Sequence, residues 1–220
     1  MPAPSPIRPA AALAPNIAAA FLVAGLAIAA PADRANAEAP PEVPAGGLTD
    51  MTAERLADIE ALITEGDARA AAAALRGLYL DLSAQAGFAP GKIALTRAPA
   101  TGFGAYEPRP DNRFAPGAPV HVYVELNGVG VIEHPEGIRE MRFEVDFALN
   151  DAQGAALTDT IPMGKVQLQS RSRAADVFLE LTYNLTGVPP GDYLLWTRIT
   201  DTPSGQQVEF DKSITIARDN

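Results

Sequence analysis

Cysteine is missing from all 220 residues. That absence excludes disulfide staples, thiolate metal ligands, a cysteine nucleophile and a lipid-bearing cysteine, so stability has to come from an ordinary apolar core. Histidine is nearly as scarce, and any imidazole base or nitrogen ligand must be His121 or His134. The chain also lacks a Gly-x-Ser-x-Gly elbow, a His-Glu-x-x-His pair and a phosphate-cradling glycine loop. No catalytic residue, metal or cofactor is therefore expected. Positive charge is short as well. The 17 basic side chains face 27 acidic ones, a balance that argues against nucleic acid and anionic lipid as partners. Finally, no apolar run reaches the roughly 20 residues of a membrane helix.

The longest apolar stretch, Ile17 to Ala30, follows Arg8 and precedes Ala35-Asn36-Ala37. This is the pattern of a secretory leader, with cleavage expected after Ala37 and a periplasmic or secreted product. Removing residues 1–37 takes away Arg8, Asp33 and Arg34 and leaves 15 basic and 26 acidic side chains. Residues 38–49 hold Pro40, Pro41, Pro44, Gly46 and Gly47 and read as a flexible linker.

Helical periodicity follows. Leu56, Ile59, Leu62 and Ile63 share one face, Gly66 interrupts, and Ala71, Leu75, Leu78 and Leu82 resume the pattern up to Gly87. A helical hairpin is expected over 50–88. From Ile93 the period changes to two. Val120, Val122, Val124 and Leu126 form one face of a strand, and Met141, Phe143, Val145, Phe147 and Leu149 form one face of another. Leu179, Leu181 and Tyr183 point inward on a third strand. Two more are expected at Tyr193 to Asp201 and Val208 to Ile216, with turns at 150–154 and 203–205.

The segment Pro189-Pro190-Gly191-Asp192-Tyr193-Leu194-Leu195, followed by Asp201 and Ser204-Gly205, resembles the terminal strands of bacterial immunoglobulin-like and fibronectin-III-like modules. Tyr106-Glu107-Pro108-Arg109 and Pro116-Gly117-Ala118-Pro119-Val120 resemble the opening of such domains in exported bacterial proteins. The resemblance implies a mainly β chain with an Ig-like antiparallel β-sandwich over 92–217, preceded by the short helical hairpin, and makes Tyr193 a corner tyrosine. It implies architecture and no particular reaction.

Candidate site residues come from the alternation itself. With Leu195 and Ile199 facing the core, Leu194 and Trp196 face outward, and so does Phe178 beside Leu179 and Leu181. Two explanations compete. In the favoured one the helices fold back and bury Trp196 and Phe178 beneath Leu75, Leu78 and Leu82. In the other, Trp196, Phe178, Leu194 and Tyr123 form an exposed binding patch for a protein or a sugar. His121, Tyr123 and Glu125 also share a face, but side chains four apart on a strand lie roughly 13 Å apart, too far to clasp one ion. Glu144 and Asp146 alternate with core residues and read as a wet face, while Lys165, Arg171 and Arg173 read as the charges of an edge strand. The expected function is a non-enzymatic binding or assembly module of the cell envelope that recognises another protein through a sheet face or a strand edge. A carbohydrate-binding accessory module is the alternative, with a hydrolase or metal-binding protein behind it.

Overall fold

A computed structural model describes Ala19–Leu26 as backbone and residues 50–218 of the chain, with side chains from Thr52 onward. The expected cleavage point at Ala37 and the linker at 38–49 lie outside the described residues. The architecture is mainly β, with two helices and two sheets.

The helices are α1, Asp50–Thr64, and α2, Ala68–Ala86. They meet at Gly66, whose φ of +83° suits glycine, and at Asp67, whose side chain accepts the Ala70 N–H and caps α2. Thr52 and Ile59 of α1 and Ala71 and Leu78 of α2 are buried.

The first sheet has four strands in the order β1 (Ala19–Leu26), β8 (Val177–Tyr183), β4 (Val120–Asn127) and β2 (Ala89–Thr96), all antiparallel. Part of the apolar stretch read as a leader thus supplies an edge strand against β8. The second sheet is built on the long hairpin of β9 (Gly191–Asp201) and β10 (Gln206–Ile216). β9 pairs with β6 (Arg139–Asp151), which also pairs with β7 (Ile161–Ser170) and the two-residue β5 (Ile132–Glu133). The short β3 (Arg113–Phe114) runs parallel to the end of β10.

The two sheets share one core. Val122, Val124, Leu179 and Leu181 of the first meet Phe143, Val145, Phe147, Leu195 and Ile199 of the second, all essentially without solvent contact. The inward sets expected from period-two alternation are buried in this core, because alternation decides which face a strand residue occupies. One polar link crosses this core: the Tyr183 hydroxyl of β8 bonds the Thr197 hydroxyl of β9 at 2.7 Å, and Phe147 packs edge-on against the Tyr183 ring at 5.4 Å.

At the start of β9 the Tyr193 hydroxyl donates to the Pro189 carbonyl at 2.8 Å and closes the turn before the strand. We expect Tyr193→Phe to lower stability by about 0.5–1.5 kcal/mol, the net worth of one hydrogen bond, read as a shift in denaturant midpoint. An unchanged midpoint would leave the turn held by its proline and glycine backbone alone.

The helices do not cover the strand aromatics. α2 instead meets loops at one end of the sheets. Gly128 donates its N–H to Ser83 Oγ at 3.1 Å, Phe88 N–H to Gln206 Oε1 at 2.6 Å, and Asp81 pairs with Arg173 at 2.5 Å. The cover of Leu75, Leu78 and Leu82 over Trp196 and Phe178 is therefore replaced by an end-on attachment, in which Leu78 packs within the hairpin and Leu75 and Leu82 remain exposed.

Candidate functional site

The four residues nominated from sequence fall on two different sheets. Trp196 and Leu194 stand half-buried on the outer face of β9, where the Arg198 guanidinium lies 5.5 Å from the centre of the Trp196 ring. Arg198 in turn pairs with Asp146 on β6 at 2.7 Å, and Glu144 with Lys165 on β7 at 2.5 Å, so this face is laced with ion pairs. Tyr123 and Phe178 stand on the outer face of the other sheet and are buried. No single aromatic patch joins the four.

What buries Tyr123 and Phe178 is the segment 97–108, a hairpin between β2 and β3. It is held together by backbone bonds from Arg97 N–H to Glu107 O and from Thr101 N–H to Ala105 O, each 2.9–3.0 Å. Its residues Phe103 and Tyr106 pack with Ala100 on Tyr123 and Phe178. Tyr106 stacks on Tyr123 with ring centres 4.3 Å apart, and the Gly104 N–H donates to the Tyr123 hydroxyl at 2.8 Å. Burial raises the Tyr123 phenol above its ordinary range, with Glu125, which accepts from that hydroxyl at 3.0 Å, adding to the rise.

Beneath the same hairpin lies Glu180. Register pairs it with Tyr123 across β8 and β4, so it points outward and would be wet were the sheet face open. Here it is 1% exposed. Oε2 accepts the Ala100 N–H at 3.2 Å, Oε1 has no hydrogen-bond partner, and the nearest imidazole nitrogen, His121 Nδ1, is 3.7 Å away. Burial pushes the carboxyl up to about 7 against the opposing pull of the Ala100 N–H. His121 is turned toward Thr182 Oγ1 at 2.9 Å, and burial followed by the charge of Arg109 lowers its basicity. The two side chains thus lie side by side at 3.7 Å, with the His121 Nδ1 hydrogen bond going to Thr182 and none joining the pair.

Sequence reasoning set His121 and Glu125 on one strand face, too far apart to clasp one ion. The structure turns Glu125 toward the Tyr123 hydroxyl and the Lys92 N–H, and brings Glu180 to His121 from the neighbouring strand. His134 is elsewhere, bonded to Glu140 at 2.8 Å beside Arg142, whose hydrogen bond holds the Glu140 carboxyl below its usual range. Among the described residues no cluster of three His, Asp or Glu side chains can hold a metal ion. The basic stretch is spent internally: Lys165 on Glu144, Arg171 on the Glu136 carbonyl and Arg173 on Asp81.

A second feature is the uncovered face of the helical hairpin. Leu56, Ile63, Leu75, Tyr79 and Leu82 are 37–59% exposed and make up five of the seven large exposed apolar side chains among the described residues. At about 100° per residue, Leu56 and Ile63 lie to one side of the buried Thr52–Ile59 line, and Leu75, Tyr79 and Leu82 to the matching side of the Ala71–Leu78 line. In an antiparallel pair those sides coincide, so both helices contribute to one apolar face. On the other side of α2 a cleft of about 410 Å³ runs between Leu80 and Ala84 and Val129, Val131 and Met141. No helix among the described residues is long and apolar enough to cross a membrane.

No family model and no curated protein matches this chain. Among solved structures it is similar to a family 123 glycoside hydrolase from Clostridium perfringens, studied for glycolipid glycan hydrolysis, with 8% identity and a TM-score of 0.31. That match covers 48% of this chain and 22% of the hydrolase.

Proposed function

We propose that this chain is an exported, non-enzymatic binding or assembly module of the cell envelope, an Ig-like β-sandwich that docks another envelope protein through its helical hairpin. The observation that carries the reading is the five-residue apolar face of α1 and α2. Isolated exposed leucines are ordinary, but a contiguous apolar face on a short helical pair costs solubility and marks an interaction surface. Residues 50–86 carry seven acidic and three basic side chains. The complementary partner is accordingly an amphipathic segment with basic flanks.

The Ig-like assignment draws support from the shared two-sheet core, the closing β9–β10 hairpin and the Tyr193–Pro189 bond, which has the form of a tyrosine corner. A carbohydrate module asks for coplanar aromatics in solvent, and Tyr123 and Phe178 lie buried, which favours the protein-docking reading. A strand-edge mode has its own observation. β1 comes from the stretch expected to leave with the leader, and its loss would present the β8 backbone as an edge open to an added strand.

Photo-cross-linking inside the native envelope tests these surfaces. A photoreactive residue at Tyr79 or Leu75 is expected to capture a protein, while one at Trp196 or Glu209 captures none. Capture at Trp196 alone would move the surface to the strand face, and recovery of polysaccharide alone would hand the function to carbohydrate binding.

A further inference from the structure

We infer that the 97–108 hairpin is a proton-operated cover, closed over Tyr123 and Phe178 while Glu180 holds its proton and released when Glu180 ionises. The inference goes beyond the docking function, since it concerns the opposite end of the first sheet and a surface that the closed form hides.

The cover is fastened by few contacts. Ala100 N–H to Glu180, Gly104 N–H to the Tyr123 hydroxyl and the Tyr106–Tyr123 stack hold its inner side, while Thr101, Gly104, Ala105 and Glu107 are exposed. It is also the place where the fold leaves polar groups unsatisfied. Of the four buried side-chain atoms without a hydrogen-bond partner among the described residues, three belong here: Thr96 Oγ1 and Arg109 Nε at the two feet of the hairpin, and Glu180 Oε1 beneath it. Buried polar atoms are nearly always paired, so this clustering marks a closed state that is under-satisfied.

A negative charge on Glu180 would find the Ala100 N–H on Oε2 as its one hydrogen bond in that space and nothing on Oε1, too little to offset its burial. From β4 it faces His121, whose basicity is lowered, and Tyr123, whose hydroxyl is already committed to Glu125. From the hairpin it meets the Ala100 N–H, while Tyr106 stacks on Tyr123 and the charge of Arg109 acts on His121. The Tyr183 phenol on its own strand is itself shifted upward by burial and by Glu180. An ionised carboxylate in such a site gains most by admitting water. The least costly way to admit it is to lift the hairpin.

The sign of the pH dependence follows. The closed state holds the Glu180 proton more tightly than the open one, so closure is strongest at low pH. It weakens as pH rises from the ordinary carboxylate value of 4.5 and reaches its floor above about 7. That interval corresponds to an increase in the open fraction of up to about 300-fold.

Hydrogen exchange of the full chain, followed residue by residue between pH 4.5 and 8 and normalised for intrinsic exchange, reads the opening directly. Protection at the Ala100 and Gly104 amides should fall by up to about 300-fold, while the core amides of Val122 and Leu181 hold. Glu180→Gln, which keeps the shape and cannot ionise, should make the profile flat. A flat wild-type profile, an unchanged slope in Glu180→Gln, or core amides falling in step with the hairpin would each overturn the inference. If Glu180→Gln does not fold, ¹³C titration of the wild-type Glu180 carboxyl decides in its place, and a midpoint at the ordinary carboxylate value would refute it.

Discussion

Gly128→Ala should loosen the helical hairpin from the strands and cost the protein more than about 3 kcal/mol, the range in which a severe steric conflict is expected. Gly128 follows β4 with φ +61°, a left-handed conformation that a Cβ disfavours by about 1–2 kcal/mol. Steric overlap costs more than the backbone conformation does. A Cβ there would lie inside the contact distance of the Gly87 carbonyl and 2.9 Å from the Ser83 carbonyl, both backbone atoms at the C-terminal end of α2. A flexible side chain would swing away, but a helix end cannot, and the Gly128 N–H to Ser83 Oγ bond is lost as the two segments separate. Gly117→Ala supplies the control: φ is +71° with nothing near the added carbon, so only the backbone cost of about 1–2 kcal/mol applies. Chemical denaturation of both variants, with hydrogen exchange of α2, checks the pair. Equal losses in the two would mean that Gly128 is not the point where the helices attach.

That attachment explains why part of the fold is legible in the sequence and part is not. Strand faces are readable because alternation is local: Val120 through Leu126, Met141 through Leu149 and Leu179 through Tyr183 reach the core as their period requires. The helices are readable from the three- and four-residue spacing up to Gly66 and again up to Gly87. What no period encodes is which sheet a strand joins. Trp196 and Phe178 both alternate outward, yet one lies on β9 and the other on β8, so a patch drawn from alternation alone divides across the two faces. Glu180 is hidden from the sequence for the same reason. As an outward acidic residue it has the look of a solvated one, and only the β8–β4 register and the fold-back of a proline- and glycine-rich loop place it under Ala100 beside His121. The helix docking hangs on a glycine, a serine and a glutamine amide, residue types that carry no hydrophobic signal. The apolar positions Leu75 and Leu82 point toward a cover for Trp196 because amphipathic helices ordinarily find a sheet of their own chain to bury them. Here the end-on attachment leaves that face for a partner.

Truncating Tyr183 should be the most damaging single change in the core, and the way the damage divides tests how the two sheets are joined. The side chain is 1% exposed and fills the space between β8 and β9, with its ring against Phe147 and its hydroxyl on Thr197. Tyr183→Ala removes the ring and leaves a cavity, for which losses of about 3–5 kcal/mol are expected. Tyr183→Phe keeps the ring and strands the Thr197 hydroxyl, itself without solvent contact, at a cost of about 1–3 kcal/mol for one buried unpaired group. Thr197→Val alone should cost a similar amount, since it leaves the phenol without its partner. The double change Tyr183→Phe with Thr197→Val removes both polar groups together, and it should recover most of either single loss because nothing buried is left unpaired. A double-mutant cycle by urea denaturation measures this coupling. Additive losses would mean that water, and no direct bond, satisfies the two hydroxyls, and that the sheets are held across this layer by apolar packing alone.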